Sequence, residues 1–383
     1  MNPAPRQVVI LSSIDWATTW QRHQIFAAAF ADEGREVFFV ENTGFRNPSW
    51  RDISRLGARI RNVFSPRGAG GSNPVPKGVH VVSPRVLPPT WPMFRSLNSN
   101  ILLPALKRQL EAAGLRPGAA CIVYVATATT LELAKIILPS AVVYDCASNF
   151  RAHPSAPADF IACERELLAL ADQVVCDSDY LYEQKKTEHA HVEKIHQGVP
   201  ADFFLLPPPR GTWDDFCYYG TWSRDLNPDL VDALANAGFK TTVRGFTKGD
   251  APALSPAVTR HAPIERGGLA ASLAPYEGLL LPYRLTPFLM GVVPAKIYEC
   301  LATGRPVIAS PLPSLKALEG LIYIGQTPED WVRIAKSLPG TETEELRRAR
   351  IALAREHSVE AEFNRFKNCV DAAAGRRRGA AAR

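Results

Sequence analysis

The sequence predicts an α/β protein built from two doubly wound halves. Three observations lead there: short, continuously apolar runs alternate with stretches of helical length, a proline-rich break interrupts the alternation, and the same alternation restarts beyond it. Strands that are apolar along their whole length are buried on both faces, which is the condition of a parallel sheet covered by helices. A length of 383 residues exceeds what one compact core accommodates and fits two domains of ordinary size.

In the first half the expected strands are Val8–Leu11, Val37–Val40, Val79–Val82, Cys121–Val125, Ala141–Asp145 and Gln173–Cys176. Gln21–Asp32, Thr129–Ile137 and Asp159–Leu170 supply helices between them. The break is Gly198-Val199-Pro200 followed by Pro207-Pro208-Pro209-Arg210-Gly211. Proline lacks an amide donor and fixes its own backbone angle, so this stretch continues neither a helix nor a central strand. Beyond it the expected strands are Phe216–Tyr219, Thr241–Arg244, Gly278–Leu281, Pro306–Ala309 and Leu321–Ile324, with helices around Asp225–Ala235, Ala295–Thr303 and Glu329–Lys336. The expected boundaries are a first domain over residues 1–198, a linker over 199–213 and a second domain over 214–370. Glu342–Val370 reads as a long amphipathic helix packing across the surface, and the Arg/Ala/Gly-rich tail 371–383 as disordered. In such folds ligands sit beyond the carboxyl ends of the strands, here in a cleft between two facing halves.

Hydrophobic residues at 46% and charged ones at 21% exclude an intrinsically disordered chain. No apolar run reaches the ~20 residues of a membrane-spanning helix, and no secretory signal opens the chain, so a cytoplasmic location is expected. The seven cysteines are scattered without a Cys-x-x-Cys pair, which favours reduced thiols over a disulfide framework or a zinc site. The net charge of +6 is uneven: residues 1–100 hold 12 Lys/Arg against 6 Asp/Glu. A localised basic surface calls for an anionic partner.

Residues 42–78 form a basic insert rich in Gly, Pro, Ser and Arg. On a helical wheel Trp50, Ile53, Leu56, Ile60, Val63 and Phe64 fall within one arc of roughly 140°. Arg51, Arg55 and Arg59 lie opposite, and Arg61 borders the arc. Two readings stay open: a helix lying in an anionic membrane surface through residues 46–95, or an ordinary surface helix packed on the first domain.

The chemistry concentrates in Pro294-Ala295-Lys296-Ile297-Tyr298-Glu299-Cys300-Leu301-Ala302-Thr303-Gly304-Arg305-Pro306-Val307-Ile308-Ala309. Proline opens a helix at no cost, and the free amides at that start suit a phosphate. Lys296 in the first turn opposes the helix dipole, so its position needs another reason. Glu299, one turn on, suits a pair of sugar hydroxyls. On the residues alone, an i,i+3 ion pair in a stable helix–turn–strand unit accounts for them equally well. Asp177-Ser178-Asp179 matches a metal-holding pattern, but its place between a strand and a helix reads as a cap, and no metal site is expected. Gly220 lacks the Gly-x-Gly-x-x-Gly fingerprint of dinucleotide enzymes.

The Pro294–Ala309 segment resembles the donor-binding helix of GT-B glycosyltransferases, nearest the retaining family 4 and its bacterial polysaccharide members. Ser12-Ser13-Ile14-Asp15-Trp16 with Trp20-Gln21-Arg22-His23-Gln24, then Val142–Cys146, Ala171–Ser178, His196–Pro200 and Tyr219–Trp222, resemble that group in order and spacing. The resemblance implies that Glu299 binds the nucleotide ribose, that Lys296 holds the diphosphate, and that Val292, Val293 and Pro294 form the backbone turn facing the donor. It implies a glycine turn at Gly220 and Thr221, with Arg224, Arg244 or Arg284 standing in for family cations that are not cleanly present. Tyr283 and the His261–Pro263 backbone are expected to face the base, and Asp145 and His153 the transferred sugar or acceptor. Position 291 is glycine where many relatives carry the first of two glutamates, and Ser148-Asn149 replaces a frequent Asp-Asp.

The expected activity is transfer of a sugar from a UDP-, GDP- or dTDP-sugar to a glycan or polyprenyl-diphosphate-linked acceptor in cell-surface polysaccharide synthesis, with retention. No cofactor is required beyond that co-substrate. The expected location is cytoplasmic, peripheral on the inner face of the plasma membrane. The alternatives are a nucleotide-sugar epimerase of similar shape and a non-catalytic phospholigand or nucleic-acid binding module. Nucleic acid is disfavoured because the arginines lack interleaved aromatic platforms.

Overall fold

The computed structural model describes residues 4–18, 20–44, 73–87 and 92–381. The amphipathic segment Trp50–Phe64 therefore lies outside the described residues, as do residues 88–91. The chain divides into two units, Met1–Ile195 with Phe363–Arg383, and His196–Glu362. These units differ from the expected boundaries: the second begins at His196 and takes in the proline-rich segment 199–213, while residues 363–370, expected in the second domain, and the tail 371–383 fall in the first.

Among the described residues the first unit holds seven strands: β1 (Gln7–Leu11), β2 (Glu36–Val40), β3 (Val79–Val82), β4 (Ala120–Val123), β5 (Ala141–Cys146), β6 (Gln173–Cys176) and β7 (Val192–Lys194). They run in the order β3-β2-β1-β4-β5-β6-β7, every pair parallel. The central strands β4, β5 and β6 are buried at every position, as their unbroken apolar sequences require. β7 was not expected, because Val-Glu-Lys at a sheet edge is largely exposed and has no apolar pattern.

The second unit holds β8 (Asp215–Tyr219), β9 (Lys240–Arg244), β10 (Thr259–His261), β11 (Gly278–Leu281), β12 (Val307–Ala309) and β13 (Tyr323–Ile324). Their order is β10-β9-β8-β11-β12-β13, again all parallel. β10, another exposed edge strand, was also not expected. The buried Glu277 carboxylate accepts the amides of Arg210, Gly211 and Thr212 at 3.0, 2.7 and 3.0 Å, which ties the proline-rich segment to the start of β11.

The expected single helix over Glu342–Val370 is instead two, Glu344–Glu356 and Val359–Ala381, preceded by Pro328–Thr341 where a helix around Glu329–Lys336 was expected. Thr343 explains one break, since its side-chain oxygen accepts the Leu346 amide at 3.2 Å and caps a new helix. The tail is helical through Ala381. Phe366 stacks on Phe26 at 4.7 Å and Phe363 meets Phe30 edge-on at 4.9 Å. Arg35 holds Asp371 through two bonds, and Arg376 and Arg377 bond Asp172 and Gln173. Arg376 and Arg377, two of the charges that made the tail read as disordered, dock it.

All seven cysteines are free thiols, six of them buried. Among the described residues no helix is long and apolar enough to cross a membrane.

Candidate functional site

β8 and β11 are neighbours in space but lead to opposite sides of the second sheet, so the carboxyl ends of these two strands form its topological switch point. Gly220 follows β8 with φ +118°, and its amide donates to the Arg244 carbonyl at 2.9 Å. Gly245 follows β9 with φ +140°; a Cβ there would stand 2.1 Å from the Gly220 carbonyl oxygen. Only glycine permits this close approach, and it clears the strand ends of side chains.

The space over Gly220 belongs to Lys296. A Cβ on Gly220 would come 2.5 Å from Lys296 Nζ. That ammonium donates to the Tyr218 hydroxyl at 3.3 Å and lies 4.7 Å from the centre of the Tyr218 ring and 5.6 Å from that of Tyr219. Burial works against its charge, but the Tyr218 and Tyr283 hydroxyls outweigh burial and hold its pKa above the ordinary lysine value. Lys296 is thus a charged group seated on aromatic faces at the switch point.

The helix carrying these residues is shorter than the sequence predicts. It spans Ile297–Ala302, with Lys296 as its N-cap; Pro294 forms a preceding turn in which its carbonyl accepts the Ile297 amide at 2.9 Å. A six-residue helix has little dipole of its own, so Lys296 supplies the positive charge here.

Glu299 is half-buried, and its Oε2 accepts from the Tyr219 hydroxyl at 3.0 Å. Burial raises its pKa to about 7, against the downward pull of the Tyr219 bond, Lys296 and Arg266, while Asp202 adds to the rise. No ion pair within 4.0 Å joins Glu299 to Lys296, so the simple i,i+3 pair is not what the structure contains; each is held by its own tyrosine. Sequence reasoning misses Tyr218, Tyr219 and Arg266. Two tyrosines in an apolar run read as core, and nothing in the run says that their hydroxyls reach side chains 78 and 80 positions later.

The other expected residues divide. Tyr283 follows β11 and stands close enough to Lys296 to act on its charge. The Arg244 guanidinium lies 2.8 Å from His261 Nδ1 and donates to the Tyr276 hydroxyl at 3.3 Å. The Thr221 carbonyl accepts from Tyr218 at 3.0 Å, and the Val292 carbonyl from Ser314 at 2.8 Å. Val293 is half-buried, Pro294 buried and Pro263 exposed. Arg224 is exposed, 3.8 Å from Asp250. Arg284 donates to the Leu226 carbonyl at 2.9 Å and pins the loop after β8.

In the first unit Asp145 is completely buried at the end of β5 and accepts from Arg22 Nε at 2.7 Å, while Arg22 also donates to the Ile195 carbonyl at 2.5 Å. Burial raises the pKa of Asp145 and the arginine lowers it. The structure makes Asp145 an internal counter-ion in place of the open sugar contact expected. His23, stacked at 3.6 Å on Tyr124, has its pKa lowered to about 3 by burial and by Arg22, and is neutral. His153 accepts the Ser155 amide at 3.0 Å within its own loop. Ser178 caps the Asp179–Lys185 helix by accepting the Leu181 amide, as the bland reading of Asp177-Ser178-Asp179 requires.

No protein-family model matches the sequence. A putative teichuronic acid biosynthesis glycosyltransferase of Bacillus subtilis (strain 168), TuaH, is 23% identical over 237 residues, 53% of this chain and 60% of that protein, so the overlap is less than two thirds of the relative's length. The solved structure of Anabaena HepE with UDP-glucose is similar over 94% of this chain and 98% of its own, with a TM-score of 0.64 at 11% identity. WaaG, a glycosyltransferase involved in lipopolysaccharide biosynthesis, is similar over 96% and 98%, with a TM-score of 0.57 at 12% identity. The fold is GT-B. Within that fold, the second unit places Gly220, Lys296 and Glu299 at the switch point of its sheet.

Proposed function

We propose that the protein is a glycosyltransferase that moves a sugar from a nucleoside-diphosphate sugar to a glycan or lipid-linked acceptor in cell-surface polysaccharide synthesis. The observation that carries this reading is the switch point itself: a charged ammonium and a carboxyl with a raised pKa, each fixed by a tyrosine, above a glycine that leaves room for a ligand. A diphosphate suits Lys296 and a ribose diol suits Glu299. Anabaena HepE, similar in fold, has been solved with UDP and with UDP-glucose.

In the reaction, the bond between the sugar and the diphosphate breaks and negative charge grows on the departing phosphate. Lys296, already charged and desolvated, stabilises that charge without rearranging. Glu299 orients the ribose, and Tyr283 and Arg244 flank the nucleotide. A retaining course in which the departing phosphate takes the acceptor proton asks for no protein base, which suits a site whose carboxylate at 299 is committed to the ribose.

The acceptor falls to the first unit. Contact of residues 46–95 with an anionic membrane surface is supported by the arginines of the insert and by Met93, Leu97 and Ile101, spaced four apart and 70%, 38% and 56% exposed. Incubation with UDP-, GDP- and dTDP-sugars tests the activity: nucleotide released only when an acceptor is added supports transfer, and its absence with every donor refutes it. Flotation on vesicles of anionic lipid, with and without residues 46–67, tests the surface; equal flotation removes it.

A further inference from the structure

The second unit opens at His196 and closes at Glu362, and these two ends meet beside the Ile297–Ala302 helix. His196 Nε2 lies 3.3 Å from the Tyr298 hydroxyl. The Tyr298 ring is 4.0 Å from the His357 ring and 4.8 Å from that of His196. Glu362 accepts the His196 backbone amide at 3.1 Å and lies 2.5 Å from His357 Nδ1. The Val199 amide donates to the His357 carbonyl at 2.8 Å, and the Val359 amide to the Val199 carbonyl at 3.0 Å. Glu362 is wholly buried; burial would raise its pKa, but the His357 bond and the charge of the histidines outweigh burial and keep it below the ordinary value.

A charged, buried cluster of this kind incurs a desolvation cost that an apolar set of equal volume avoids, so stability alone does not explain it. What hydrogen-bonded groups add is direction: they accept one arrangement where apolar contacts tolerate several. The element they orient is six residues long, too short to hold itself. Its next residue after Tyr298 is Glu299.

We infer that Tyr298 is a positioning residue for Glu299, fixed by His196, His357 and Glu362, and that it sets the rotation of the helix so that the carboxylate meets the ribose. The inference rests on the nucleotide-binding reading above and is separable from it. Tyr298→Phe keeps the ring and removes the hydroxyl. Its effect is measured alone and combined with Glu299→Gln, by calorimetric titration of the full chain with whichever of UDP, GDP and dTDP the wild-type protein binds, and with thermal unfolding alongside. Tyr298→Phe is expected to weaken binding roughly five- to tenfold, since small misplacements of a positioned group are costly. That penalty is expected to vanish in the Glu299→Gln background, because a residue acting through Glu299 has nothing left to position. A penalty of equal size in both backgrounds, or none in either, overturns the inference while leaving the nucleotide reading intact. Unchanged affinity in Glu299→Gln alone refutes the nucleotide reading and the inference with it.

Discussion

Glu299→Gln is expected to move stability and ligand affinity in opposite directions. The side chain keeps its shape and can still accept from Tyr219, but it no longer carries charge. In the folded protein the carboxyl titrates at about 7 against an ordinary 4.5, so its ionised form costs folding about 3 kcal/mol before allowance for partial exposure and about 2 kcal/mol after it. Because the folded value is the higher one, the stability associated with this group is complete below pH 4.5 and is lost as pH rises through about 7. The amide does not titrate. Wild type and variant should therefore unfold alike at about pH 4 in urea, and the variant should be the more stable by about 2 kcal/mol at pH 8. Affinity should fall the other way: losing one hydrogen bond to a charged acceptor costs about 2 kcal/mol, roughly thirtyfold in the Kd of the nucleoside diphosphate. A variant that is less stable at pH 8 yet binds as tightly as wild type would refute the reasoning on both counts.

Gly220→Ala should be worse than its single methyl suggests. The new Cβ meets a flexible Lys296 tip that moves away easily, but φ +118° strains any side chain, so urea unfolding should register a loss of about 1–2 kcal/mol together with weaker diphosphate binding. Lys296→Met preserves the stem over the tyrosine rings and removes the charge; calorimetry should show a larger loss for a nucleoside diphosphate than for the matching nucleoside, and equal losses would argue against a phosphate role. Asp145→Asn removes the carboxylate bonded to buried Arg22, with Asp177 as the remaining acidic neighbour, and should cost about 3 kcal/mol in urea unfolding, with activity falling only as far as the folded fraction does.

Much of the molecule was legible in the order of its residues. The buried strands announced themselves because parallel strands covered on both faces need unbroken apolar runs, and Val8–Leu11 or Gly278–Leu281 can be little else. β7 and β10 were not legible, because an edge strand is held by one neighbour's backbone and Val-Glu-Lys or Thr-Arg-His carries no pattern to reveal it. Lys296 and Glu299 stood out through their placement, a cation where the helix dipole disfavours one and a carboxyl one turn on.

Local periodicity and residues near one another in the chain already specify the layer architecture and the helix on which the donor chemistry is proposed. What those residues touch is fixed by long-range packing. It set Lys296 over Gly220 and Tyr218, gave Glu299 to Tyr219, turned Asp145 inward to Arg22, and folded the Val359–Ala381 helix onto Phe26, Phe30 and Asp172. Each of these joins positions far apart in the chain. Their energies come from burial and from charges brought close in a poorly screening interior, which no local pattern encodes.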